Sequence, residues 1–215
     1  QALTMSALST ATVANYATDD IQSLTTTQVA ALSSTQLNVL NSNQLQALTS
    51  SQVAVLKVAG LSTQAVQNFA TDDLQFLASA QVAALTTSQA GALTTTQVGA
   101  LTTTQVKALT STALNALNSS QFQALNSAQV QQLTVTALNT ATVANFATDD
   151  VQSLTTTQVA ALSSTQVNAL NSNQLQALNS AQIQALKLSG LSTTTVSRLA
   201  TDDIQSLTTT QVAAL

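Results

Sequence analysis

The chain has 215 residues, of which only 6% are charged and 2% aromatic, with a net charge of −4 and no His, Cys, Pro or Trp. No imidazole base, thiolate nucleophile, disulfide framework or zinc site of the N/S type can be assembled from that inventory, and four basic residues cannot neutralise a nucleic-acid backbone. No apolar run approaches the roughly eighteen residues of a membrane span, and the first residues lack the basic-then-apolar order of a secretory leader.

In chain order, the sequence opens on a five-residue step from Leu3 to Leu8 (TMSAL) and then settles into a period of eight. Six octads run from Leu8 to Leu56, followed by a second step, KVAGL, to Leu61. Nine more reach Leu133, where Leu85, Leu93, Leu101, Leu109, Leu117 and Leu125 mark the interval. A third step, TVTAL, leads to Leu138 and six octads ending at Leu186; a fourth, KLSGL, leads to Leu191 and three octads ending at Leu215. Residues 10–48, TATVANYATDDIQSLTTTQVAALSSTQLNVLNSNQLQAL, reappear with few changes at 140–178, the mark of a tandem duplication. A fixed internal period signals a repeat architecture, so the expectation is one repeat array over residues 1–215, in blocks 3–56, 56–133, 133–186 and 186–215, forming a fragment of a longer chain.

The octad itself selects helix over strand. Its two large apolar positions are the first and sixth, an odd separation that would place them on opposite faces of a pleated strand. A continuous helix fails as well, because eight residues at about 100° each leave an 80° drift per repeat and no lasting apolar stripe. Short, separately started helices satisfy the pattern. Position 2 is Ser, Thr or Asn in 19 of the 24 octads and position 5 is Gln in 15, the spacing of a capping box. In Thr102-Thr103-Thr104-Gln105 the Thr102 hydroxyl is expected to accept from the Gln105 amide while the Gln105 side chain reaches back to the Thr102 amide. Leu101 and Val106 then fall at the two positions of a hydrophobic staple. Thr, Ser and Asn are poor inside helices and good at their starts, which accounts for 37 Thr and 24 Ser in one chain. One such turn of helix cannot repay its own ordering entropy, so stability must come from stacking octads.

The fold class expected is therefore all-α, a solenoid of very short capped helices, one per octad, interrupted by the steps. Blocks of six and nine octads suggest about three helices per coil. The steps delete most of a helix, and Gly60 and Gly190 within them suit a sharp turn; they are expected to bend or re-phase the solenoid.

All acidic residues occur as four pairs, Asp19-Asp20, Asp72-Asp73, Asp149-Asp150 and Asp202-Asp203, each in an Ala-Thr-Asp-Asp segment in the second octad after a step. One reading is structural: carboxylates in the first helical turn accept amide hydrogen bonds and favour the helix dipole, replacing the missing cap at the Ala. The other is a calcium site, formed if pairs from successive blocks converge with Thr hydroxyls and carbonyls. Beyond that calcium candidate no cofactor and no catalytic residue is expected, since the many hydroxyls have no His beside them and adjacent Asp side chains point apart. Tyr16, Phe69 and Phe146 take the Leu position and read as larger core residues, while Lys57, Lys107, Lys187 and Arg198 read as solvated or paired with an Asp.

The run ALTTTQVGALTTTQVKAL resembles the Leu-Thr-rich octapeptide arrays of large bacterial secreted or surface repeat proteins, over nearly the whole chain. Leu101-Thr-x-x-Gln-Val-x-Ala also resembles the first helix of TAL-effector repeats, but their period, base-reading loop and positive charge are missing here. The first resemblance implies an extracellular or cell-surface structural protein: a segment of a fibre, sheath or adhesin stalk that continues into further repeats or self-associates. The alternative expectation is a binding module that presents a regular Thr, Gln and Asn lattice to carbohydrate or ice.

Overall fold

The computed structural model describes residues 4–214. Leu3 and Leu215, which bound the first and last blocks, lie outside the described residues. Among the described residues there are 24 α-helices, α1 (Thr10–Ala14) to α24 (Thr209–Val212) in chain order, and no strand. Each octad supplies one helix of four to six residues, as α8 (Thr71–Leu74) and α12 (Thr103–Ala108) illustrate.

The local geometry follows from the cap. Thr102 is extended (φ −68°, ψ 157°), its hydroxyl accepts from the Gln105 amide at 3.2 Å, and the Thr102 amide donates to Gln105 Oε1 at 2.9 Å. Leu109 ends the helix in an extended conformation (φ −59°, ψ 132°), and Thr110 begins the next one. The corner between two helices is thus two extended residues, Leu then Thr. Leu101 and Val106, the staple pair, are both buried.

Spatially the chain forms two compact units, residues 1–116 and 117–215, whose border lies inside the long block and not at a step. In the first unit α12 packs on α9 (Ser79–Ala83), α11 (Thr95–Ala100) on α8, and α10 (Thr87–Ala92) on α7 (Thr63–Asn68). In the second, α19 (Ser164–Ala169) packs on α16 (Thr140–Ala144), α20 (Ser172–Gln176) on α17 (Thr148–Ser153), and α21 (Ser180–Ala185) on α18 (Thr156–Ala161). Each partner is the third element back, so a coil has three sides, and its interior is filled by the residues at positions 1 and 6.

The steps keep that count. Val58–Gly60 and Val135–Ala137 are single 3₁₀ turns, and each stands in for a whole helix. Accordingly α7 packs on α5 (Ser42–Gln46), two helices back but three elements back once the step is included, and α17 packs on α15 (Ser127–Val130) in the same way. Met5, Val58, Val135 and Leu188, the second residue of each pentapeptide, are buried like the sixth residue of an octad. A step is therefore an octad that has lost its first helical turn and kept its two core residues. Its expected glycines have separate reasons. Gly190 has a φ of 82°, the left-handed region, whereas a Cβ on Gly60 would stand 1.9 Å from Ser34 Oγ in the coil beneath.

Candidate functional site

The most elaborate polar feature is the corner. Position-5 glutamines are buried, Gln105 at 2% exposure, except Gln28 and Gln81, which are half-buried, and their amides have two roles. Oε1 completes the capping box of its own helix; Nε2 reaches into the preceding coil. Gln105 Nε2 donates to the carbonyls of Leu74 (2.7 Å) and Leu77 (2.8 Å), 31 and 28 residues back, where α8 ends and the next corner begins. Gln89 repeats this on Val58 and Leu61, Gln166 on Val135 and Leu138, and Gln182 on Val151 and Leu154. Where a step intervenes, the spacing contracts by three: Gln81 meets Val53 and Leu56, 28 and 25 residues back. Helix-end carbonyls are orphan acceptors that need a donor when buried, and the glutamine supplies it. The sequence showed only the local half of this, because the period names a residue at i+3 and gives no sign of partners about thirty residues away.

Two other tethers leave no mark in the sequence period. In coils that contain a step, amides at position 7 bridge forward to the next coil. Asn38 donates to the Gly60 carbonyl (3.1 Å) and accepts from the Ser62 amide (2.7 Å), while Gln46 donates to the Asn68 carbonyl. Asn168 does the same with Gly190 and Ser192 and also accepts from the Thr195 hydroxyl. Arg198 donates from its guanidinium to the Leu170 carbonyl at 3.2 Å, taking over a corner for which its own octad, with Thr195 at position 5, has no glutamine. Lys57, Lys107 and Lys187 are exposed.

The aspartate pairs divide cleanly. Asp19, Asp72, Asp149 and Asp202, at position 4, face solvent. Their neighbours occupy position 5, the glutamine place: Asp20 is exposed, Asp73 half-buried, and Asp150 and Asp203 buried. Asp20, Asp150 and Asp203 accept from the amides of Ala17 (3.1 Å), Ala147 (2.7 Å) and Ala200 (2.9 Å), so the carboxylate makes half of the capping box at helices whose Ala cap has no side chain to make the other. Asp73 Oδ2 is buried without a hydrogen-bond partner. Burial pushes the Asp73 and Asp150 carboxyls above the ordinary carboxylate range, against the opposing pull of the Ala70 and Ala147 amides and with a smaller push from Asp72 and Asp149. The pairs do not converge within either unit: α2 (Thr18–Ser23) and α8, which carry the first two, are seven elements apart, and α17 and α23 (Thr201–Gln205) are six helices apart with the fourth step between them. Among the described residues no three acidic side chains gather to hold a metal ion.

Phe69 and Phe146 are buried and Tyr16 is half-buried, with Phe146 stacked on Phe122 at 4.9 Å. The turn missing from the step before Leu138 leaves a surface groove of about 410 Å³ lined by Thr136, Asn139, Thr140, Ser163, Thr165 and Gln166. Hydroxyls at positions 3 and 4, such as Thr95, Thr96, Thr103 and Thr104, are exposed, whereas Thr94 and Thr102 are engaged in capping. No helix among the described residues is long and apolar enough to cross a membrane.

The model of the ALTTAQ repeat matches residues 29–58, 66–103, 102–135 and 159–187, together more than half of the chain. Comparison with curated proteins finds no match.

Proposed function

The chain belongs to the ALTTAQ repeat family, and we propose that it serves as a structural segment, a solenoid stretch of an extracellular fibre, sheath or adhesin stalk on a bacterial surface. One observation carries this reading: the buried glutamines are engaged in holding coil to coil. Gln89, Gln97, Gln105, Gln166 and Gln182 are all nearly inaccessible, and each is bonded both to its own helix start and to the coil beneath. An architecture in which each coil rests only on its neighbours can be lengthened without redesign, the property a stalk needs. On this proposal residues 1–215 act as one array that further repeats continue. Electron microscopy of the native material is expected to show a continuous filament or stalk; compact separate particles would overturn the proposal.

A second reading has the groove lined by residues 136–140 and 161–166 in its favour. Its Thr, Ser and Asn side chains match the hydroxyls of a carbohydrate, and the exposed Thr rows extend the same chemistry. A glycan array that registers a ligand, with the signal lost in Thr140→Val/Thr165→Val, supports a binding module; a blank array with no thermal hysteresis leaves the stalk.

A further inference from the structure

At four corners the donor of the repeat is replaced by an acid, and at two of them, Asp73 and Asp150, burial raises the carboxyl above its ordinary range. Asp73 and Asp150 stand at position 5, where buried glutamines such as Gln89, Gln105 and Gln166 donate to two carbonyls of the coil beneath. In the step-containing register used by Gln81, those carbonyls are 28 and 25 residues back. For Asp73 the register designates Leu45 and Leu48, and for Asp150 it designates Phe122 and Leu125. An ionised carboxylate has no hydrogen to offer them: it sets a negative charge against the oxygen ends of two carbonyl dipoles. A protonated carboxyl has one donor where the glutamine amide uses two, so it can bond one of the two carbonyls while its other oxygen still accepts at the helix start. The orphaned, buried Oδ2 of Asp73 is the atom that would carry that proton.

We propose that Asp73 and Asp150 are proton-operated latches that fasten the step-containing coils to the coils beneath them when the carboxyls are neutral and loosen them when the carboxyls ionise. No cation competes for them. α8 packs against α6 (Ser50–Val53) and α11, neither of which carries a charged residue, and α17 packs against α15 and α20, which carry none either; the other charges facing the pair are Asp72 and Asp149 on the same helices. Both neighbours are acids and favour the neutral form. The carboxyls are raised by burial, so the folded state binds protons more tightly than the unfolded chain. Their stabilising contribution is then fully present below the ordinary carboxylate value of 3.8 and is lost as pH rises through the higher folded value.

Thermal unfolding of the full chain, followed by circular dichroism at neutral pH and at mildly acidic pH, tests this. Acidification is expected to raise the Tm by about 2–4 °C for each kcal/mol that the latches contribute. Asp73→Asn/Asp150→Asn, which keeps an acceptor and supplies a permanent donor, is expected to raise the Tm at neutral pH and to remove the gain on acidification. Asp72→Asn/Asp149→Asn removes equal charge from exposed positions and is expected to retain the gain. A wild-type Tm that is flat or falls on acidification overturns the proposal, as does equal loss of the gain in both double variants. A rise on adding millimolar calcium at neutral pH, absent in Asp73→Asn/Asp150→Asn, overturns it in favour of a cation at the same corners.

Discussion

A glutamine at position 5 performs two tasks with one amide, and they can be separated by chemistry. Gln105→Glu keeps an oxygen for the Thr102 amide and removes the two N–H groups that reach Leu74 and Leu77. Leaving two buried carbonyls without a donor is expected to cost about 2–4 kcal/mol in urea unfolding at neutral pH, with part recovered on acidification as the new carboxyl protonates. Thr102→Val removes only the hydroxyl that accepts from the Gln105 amide and is expected to cost about 1 kcal/mol in the same measurement. Gly60→Ala acts by crowding: its Cβ would meet Ser34 Oγ at 1.9 Å and Ser34 Cβ at 2.7 Å. Overpacking of that kind costs about 1–3 kcal/mol. The cost should be largely cancelled in Gly60→Ala/Ser34→Gly, which would not happen if Gly60 were needed for its backbone freedom.

At the level of the helix, the capping box and the staple were legible because every partner is within four residues of the cap: Thr102 with Gln105, Leu101 with Val106. The three-sided coil was foreshadowed only by block sizes. What could not be read was the nature of a step. KVAGL resembles a loop until Val58 is seen in the core, filling the place of an octad's sixth residue. Nor could the second task of glutamine or the role of Arg198 be read, since both depend on which residues the winding brings alongside. The aspartates were half legible: their amide-accepting role was expected, but their occupation of the glutamine place acquires meaning only once that place is known to face two carbonyls. Helices of four to six residues have no independent stability. A synthetic peptide of residues 93–116, one full coil, is therefore expected to give a random-coil circular dichroism spectrum; a helical spectrum would show that propensity and not stacking forms the helices.

Over a whole unit, octads in the uniform part of the long block are interchangeable in a way that octads near a step are not. Excising residues 93–100 removes one side of a coil but leaves each later glutamine an equivalent corner to bond. Excising residues 40–47 brings Ala30 to the place from which Asn38 tethers Gly60 and Ser62, and brings Thr26 over Gly60 in place of Ser34. The second deletion is expected to lower the Tm several degrees more than the first, although the two remove equal lengths of chain; equal losses would mean that the steps tolerate any neighbour.

The direction of the glutamine bonds has a bearing on synthesis. Gln44, Gln89, Gln105, Gln166 and Gln211 all donate toward lower-numbered residues, 25 to 31 positions behind them. A nascent chain leaving the ribosome therefore meets acceptors that have already emerged, and each new turn can close on finished material without waiting for residues still to be added. The forward-reaching Asn38, Gln46, Gln123, Asn168, Gln176 and Gln184 are exceptions, so elongation should leave the stretches flanking the steps as its slowest seams.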